Sequence, residues 1–146
     1  MRYSDNLTVG ELMLKDMVTA AESDQVHQVY AKMVEGRFRH MPVVKKSREL
    51  VGIVSDRDLR NVLVFINDAA GNKEVIGNKA LTIDKVMTRE PLCADAGDSV
   101  KTAVRLMVKH KVGCLPVCDD QGRLLGIVTE TDMLKLLEEL LKVPRK

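Results

Sequence analysis

Apolar positions along this chain recur in two spacings. Val26, Val29, Tyr30 and Met33 fall one helical turn apart, and Val100, Ala103, Val104 and Met107 repeat that spacing, which predicts two helices with one apolar stripe each. Between them lie apolar runs too short for helices: Val18-Thr19-Ala20, Met41–Val44 and Leu50–Ser55, then Leu92-Cys93-Ala94, Leu115–Cys118 and Leu124–Thr129. Such runs, bounded by turn-prone polar residues, read as short buried strands. Polar turns at Lys45-Lys46-Ser47 and at Asp119-Asp120-Gln121-Gly122 join the later runs of each set into predicted β-hairpins. A short helix opens each set behind an N-cap, Thr8 or Thr82, with Glu11 in capping-box spacing after Thr8. A last helix closes each set, from about Asp56 to Ile66 and from about Glu130 to Leu141.

The two sets are one unit written twice. With Val9 laid on Ile83, the chain aligns with itself without a gap through Leu63 and Leu137. Met13 meets Met87, Asp24 meets Asp98, Pro42-Val43 meets Pro116-Val117, and Asp58 meets Asp132. The predicted class is α+β, each repeat running α-β-α-β-β-α. Repeat 1 is placed at residues 1–66 and repeat 2 at residues 82–146. Residues 67–81 between them, with Gly71, Asn72, Gly77 and Asn78, carry turn chemistry without periodicity and are expected to be a linker. A repeat of about 55 residues is too small to bury enough surface alone. The two are therefore expected to pack through their small sheets with pseudo-two-fold symmetry, leaving two equivalent clefts.

Composition narrows the function. Basic and acidic residues number 23 and 21, and aromatics make up 3% with no Trp, so neither a phosphate-neutralising block nor a base-stacking platform is present. Nucleic acid is not an expected partner. Charges interrupt every apolar stretch, so no membrane span is expected. Met1–Gly10 lacks the apolar core of a secretory leader and three Cys fit a reducing compartment, so the expected location is cytoplasmic.

Each repeat carries a glycine, two apolar residues, a hydroxyl and then an aspartate three positions on. The two copies are Gly52-Ile53-Val54-Ser55-Asp56-Arg57-Asp58 and Gly126-Ile127-Val128-Thr129-Glu130-Thr131-Asp132. A hydroxyl followed by acids at a helix start is what an N-cap requires. Capping alone requires neither the glycine nor the aspartate in both copies. A helix start also offers N–H groups to an anion, and an aspartate one turn in can accept both hydroxyls of a ribose.

These motifs, with Arg39-His40-Met41-Pro42-Val43-Val44 and Val112-Gly113-Cys114-Leu115-Pro116-Val117 before them, resemble cystathionine-β-synthase-type (CBS) repeats over nearly the whole chain. The resemblance implies a regulatory module binding AMP, ADP, ATP or S-adenosylmethionine, with no other cofactor. It implies a first site of Ser55 and Asp58 with Thr19, Ala20, His40 and Met41 near the base. The second would use Thr129 and Asp132 with Cys93, Ala94, Cys114 and Leu115. Arg57, opposite Thr131 in the second copy, is the one candidate for bidentate phosphate pairing, so tighter binding is expected at the first site.

No catalytic residues are assigned. His27 and His110 fall among charged helix residues and are expected to be solvated, and no nucleophile–base pairing or phosphate-binding glycine loop can be read. No metal site is expected either. Cys114 and Cys118 on one strand would stand roughly 13 Å apart, too far to chelate together, and the thiols are expected to be buried. The stripes Leu59, Val62, Leu63, Ile66 and Met133, Leu134, Leu137 exceed what one small sheet covers, which points to a homodimer. The alternative reading is a dimerisation or docking module that needs no ligand. The chain closes with Val143-Pro144-Arg145-Lys146 soon after repeat 2, so output to an unidentified protein target is expected.

Overall fold

The structure, a computed structural model, describes residues 6–142. The first five residues of the leader reading and the tail Val143–Lys146 lie outside the described residues. In chain order come α1 (Val9–Leu12), α2 (Val26–Gly36), β1 (His40–Val44), β2 (Leu50–Ser55), α3 (Asp56–Val62), β3 (Val64–Asn67) and β4 (Lys73–Gly77). A 3₁₀ turn (Ile83–Lys85) follows, then β5 (Thr88–Arg89), α4 (Val100–His110), β6 (Cys114–Cys118), β7 (Leu124–Thr129) and α5 (Glu130–Leu140).

The described residues form two compact units, one of residues 18–91 and the other of residues 6–17 with 92–142. Compact unit and sequence repeat do not coincide, because the opening turn of each repeat belongs to the unit that holds the other repeat's hairpin. In the unit of residues 18–91, the N–H groups of Ile83 and Asp84 donate to the carbonyls of Asp24 and Glu22, at 2.9 and 3.0 Å. In the other unit Val9 and Gly10 donate to Asp98 and Ala96, at 2.8 and 2.9 Å. These are the same positions in the alignment of the repeats.

The hairpins are equally matched. β1 pairs antiparallel with β2, His40 opposite Ser55 and Met41 opposite Val54, and β6 pairs with β7, Cys114 opposite Thr129 and Leu115 opposite Val128. Register shifts at Val43/Val44 and at Val117/Cys118 fall at equivalent places. On the far side of β2 lies β5, with Ile53 opposite Thr88, and on the far side of β7 Leu14 bridges Ile127. The expected strands at Val18–Ala20 and Leu92–Ala94 shrink to single parallel bridges, Ala20 to Val43 and Ala94 to Val117, because the chain touches the sheet edge and leaves at once.

The helix stripes bury as their spacing predicts, except that Val104 of α4 is 37% exposed. Val26, Val29 and Met33 of α2 join Met41, Val43, Val54, Leu59, Leu63, Ile83 and Met87 in one core. In the other unit Ala103 and Met107 of α4 join Val9, Ala94, Leu115, Val117 and Val128. Each large side chain so buried contributes roughly 1.5–3 kcal/mol.

Two expectations are corrected. The helix expected to reach Ile66 stops at Val62, and Val64–Asn67 and Lys73–Gly77 form a hairpin where the helix end and linker were expected. Alternation explains it: Phe65 and Val75 pack toward the core while Val64, Ile66 and Ile76 stay exposed. Phe65 lies 5.4 Å from the Tyr30 ring, and Asp68 closes the turn by accepting from the N–H groups of Ala70 and Asn72, both at 2.9 Å. The second correction concerns the apolar surplus read on both closing helices. Leu59 and Leu63 are core residues, Ile66 is on a strand, and of the two closing helices, within the described residues, α5 alone leaves leucines exposed, Leu134 at 61% and Leu140 at 58%.

Candidate ligand-binding site

Both motifs sit where the last strand of a hairpin turns into a helix. In the first, Ser55 caps α3. Its Oγ accepts from the Asp58 N–H at 3.1 Å, and Asp58 Oδ2 accepts from the Ser55 N–H at 3.2 Å. In the second, the Thr129 N–H donates to Asp132 Oδ2 at 2.8 Å, the Thr129 hydroxyl donates to the same oxygen at 3.1 Å, and the Asp132 N–H returns to Thr129 Oγ1 at 3.4 Å. The capping reading of the motif is therefore realised in both copies. Both aspartates are half-buried, and within the described residues Oδ2 carries all their capping bonds, so Oδ1 remains to accept from a ligand.

The glycines have a packing reason. A Cβ on Gly52 would stand 2.6 Å from Met87 Sδ and 2.9 Å from the Thr88 carbonyl oxygen. One on Gly126 would meet Met13 Sδ at 2.7 Å and the Leu14 carbonyl oxygen at 2.8 Å. The glycine in both copies, with the paired Met13 and Met87, thus serves the close approach of the segment after each opening turn. That account uses no ligand.

The candidate residues gather unevenly around the motifs. His40, half-buried at the start of β1, is directly across from Ser55, and Cys114, buried, is across from Thr129. Met41 and Leu115 are fully buried, side chain and main chain alike, and belong to the cores. Ala20 and Ala94 are also buried, and their peptide groups already bond to the neighbouring strands: Ala20 N–H to Pro42 and Ala94 N–H to Pro116, both at 2.9 Å. Thr19, beside that bridge, is half-buried, and Cys93 is exposed. Arg57 is exposed in the first turn of α3, its N–H held by Asp56 Oδ1 at 2.9 Å.

Electrostatics tie part of the second site together. Burial first, then the Asp132 carboxylate and Cys93, push the Cys114 thiol far above the usual range, so it stays protonated. Two cysteine and histidine expectations change. Cys93 is exposed rather than buried, with its Sγ 3.8 Å from Cys118 Sγ. His27 is half-buried, and its Nδ1 is inaccessible and makes no hydrogen bond to any described residue. Its place next to Val26 at the start of α2 carried no sign of this. Among the described residues no group of three or more His, Cys, Asp or Glu is placed to hold a metal ion, and no helix is long and apolar enough to cross a membrane.

Comparison with known proteins agrees with this fold. Residues 9–65 and 83–139 each match the family model of the CBS domain. The uncharacterized protein MJ1225 of Methanocaldococcus jannaschii is 32% identical over 138 residues, which cover 92% of this chain and 48% of that protein. The inosine-5'-monophosphate dehydrogenase of the same organism is 31% identical over 86% of this chain, which spans only 22% of the enzyme. Among solved structures, the CBS domain pair of protein MJ0100, in complex with 5'-methylthioadenosine and S-adenosyl-L-methionine, superposes with a TM-score of 0.76 at 26% identity, covering 91% of this chain and 97% of that one.

Proposed function

Because the chain belongs to the CBS domain family, we propose that it is a regulatory module, not an enzyme, that binds an adenosine-containing ligand and passes the bound state to a partner protein. The carrying observation is the strand-to-helix junction present twice, where a capped helix start holds an aspartate with one carboxylate oxygen uncommitted by the cap. Such an oxygen suits the paired hydroxyls of a ribose, and the adjacent helix start suits a phosphate. The adenosine ligands of the MJ0100 domain pair support the class, which here comprises AMP, ADP, ATP and S-adenosylmethionine. Ser55, Asp58, Thr19 and His40 serve the first site, with Arg57 on the phosphates. Thr129, Asp132, Cys93 and Cys114 serve the second. For signalling, the ligand must bind one conformation of the module better than another, since equal affinity shifts nothing.

Thermal unfolding of the full chain with AMP, ADP, ATP, S-adenosylmethionine and NAD tests the proposal. A ligand at a hundredfold excess over its dissociation constant adds about 2.7 kcal/mol to stability and raises the midpoint. The Asp58→Asn variant keeps an acceptor for the Ser55 N–H but loses the carboxylate, so its unliganded midpoint is expected to stay near the parent's while the ligand shift shrinks. No shift with any of the five would move the assignment to a ligand-independent dimerisation module. The exposed leucines of α5 and its C-cap, Leu134, Leu137, Leu140 and Leu141, favour that second reading, and sedimentation at micromolar protein tests it.

A further inference from the structure

Cys93 and Cys118 are 25 positions apart in sequence, yet their sulfur atoms stand 3.8 Å apart, with the Cys118 thiol donating to the Cys93 sulfur. The main chain sets up the meeting. Ala94 pairs with Val117 in a parallel bridge, and the Cys118 N–H donates to the Ala94 carbonyl at 3.1 Å, so the two cysteines flank one bonded pair. The register shift between Val117 and Cys118 falls at the same spot. The fold itself does not demand thiols there. In the other unit Thr19 and Val44 occupy the equivalent positions around the Ala20–Val43 bridge.

The two sulfurs differ in access. Cys93 is exposed and Cys118 buried, so an oxidant in solution reaches Cys93 first. We propose that Cys93 and Cys118 form a thiol–disulfide site, oxidised by a small-molecule disulfide and confined to the second copy. The Cys93 thiolate attacks one sulfur of the small disulfide, forming a mixed disulfide and releasing one small thiolate. Cys118 then gives up its proton to solvent and attacks the Cys93 sulfur, forming the internal bond and releasing the second small thiolate. The pair loses two electrons and two protons, and one small disulfide becomes two thiols. Closing from 3.8 Å to a bond of about 2.05 Å requires a side-chain adjustment of less than about 2 Å.

The sulfur electrostatics favour this order. The hydrogen bond from Cys118 lowers the Cys93 thiol below its ordinary value, against opposing effects of partial burial and Asp95, while the same bond and burial hold Cys118 up. Cys93 is the attacking thiolate and Cys118 the resolving thiol.

The test treats the full chain with oxidised glutathione, blocks remaining thiols with iodoacetamide, and maps peptides by mass spectrometry without reduction. The expected product is two hydrogens lighter, with Cys93 and Cys118 peptides joined and Cys114 alkylated only after unfolding. The Cys118→Ser variant is expected to stop at a glutathione adduct on Cys93. A stable Cys93 adduct in the unsubstituted protein, a link involving Cys114, or no oxidation would each overturn the proposal. The peptide map of the unsubstituted chain decides the matter even where a variant folds poorly, and Cys114→Ser is expected to leave the internal bond unchanged.

Discussion

In the unit of residues 18–91, Ser55 and Asp58 exchange two hydrogen bonds, and an arginine stands between them in sequence. In the other unit, Thr129 and Asp132 exchange three, and a threonine takes the place of that arginine. The backbone is the same in both. The difference lies in how much of the polar capacity is consumed locally: the Thr129 hydroxyl donates to Asp132, and Asp132 Oδ2 serves two donors. A junction that satisfies itself binds its helix start more firmly and has less left for a ligand. On the proposed reading the first copy is the better ligand site and the second the better cap.

The largest expected effect tests what the copies share. Gly52→Ala and Gly126→Ala each drive a Cβ against a backbone carbonyl that the sheet holds in place, through β5 in one unit and the Leu14–Ile127 bridge in the other. Each is expected to cost about 2 kcal/mol, within the range for overpacked sites, seen as a lower urea midpoint. A variant as stable as the parent would mean that the segment after the opening turn yields, and that the paired glycines need another explanation.

A middle-sized effect tests what the copies do not share. With the adenine nucleotide that shifts the midpoint, Arg57→Thr is expected to weaken binding about tenfold, the lower end of a charge-assisted hydrogen bond because the side chain is exposed. Thr131→Arg should strengthen the second site in the same measure. Calorimetric titration resolves both. Equal loss from Asp58→Asn and Asp132→Asn would remove the asymmetry altogether.

Much of this was legible in the sequence because a repeat supplies its own control. The stripes of α2 and α4, the two hairpins and both strand-to-helix junctions were each read twice, and the two readings agreed. The hairpin β3–β4 has no counterpart among the described residues of the second repeat, so nothing corrected the reading of Val64–Ile66 as helix and Asn67 as linker, although its inward Phe65 and outward Val64 and Ile66 alternate like a strand. The exchange of the opening turns between units was illegible for a different reason. Thr8 and Thr82 mark where the turns begin, but not which sheet they cover. The role of the motif glycines followed from that exchange and was missed with it. Of the candidate site residues, the full burial of Met41 and Leu115 was not legible, because a strand residue beside a functional motif faces the core as readily as the ligand.

The smallest expected effect lies in the hairpin turns. Arg48 and Gly122 occupy the same left-handed position, at φ 72° and 76°, and each N–H closes its turn onto the carbonyl three residues back, at 2.8 and 3.0 Å. A side chain in that conformation costs about 1–2 kcal/mol, of which the freedom of glycine in the unfolded chain returns about 0.5–1. Arg48→Gly is therefore expected to raise stability by about 0.5–1 kcal/mol, and Gly122→Arg to lower it similarly. The flanking charges are inverted: Lys45–Glu49 at 3.7 Å in the first turn, Asp119–Arg123 at 2.9 Å in the second. Only in the second does the carboxylate also hold the turn's own N–H groups, accepting from Gln121 and Arg123 at 2.9 Å. The Arg123 N–H bond is the main cause that holds Asp119 below its ordinary range. A carboxylate so depressed stabilises the folded turn above its unfolded-state value, and loses that contribution as pH falls through the folded-state one. Acid should therefore speed amide exchange at Gln121 and Arg123, relative to the intrinsic rate, before it does so at Ser47 and Glu49, unless the Arg123 backbone rather than the charge holds the second turn closed.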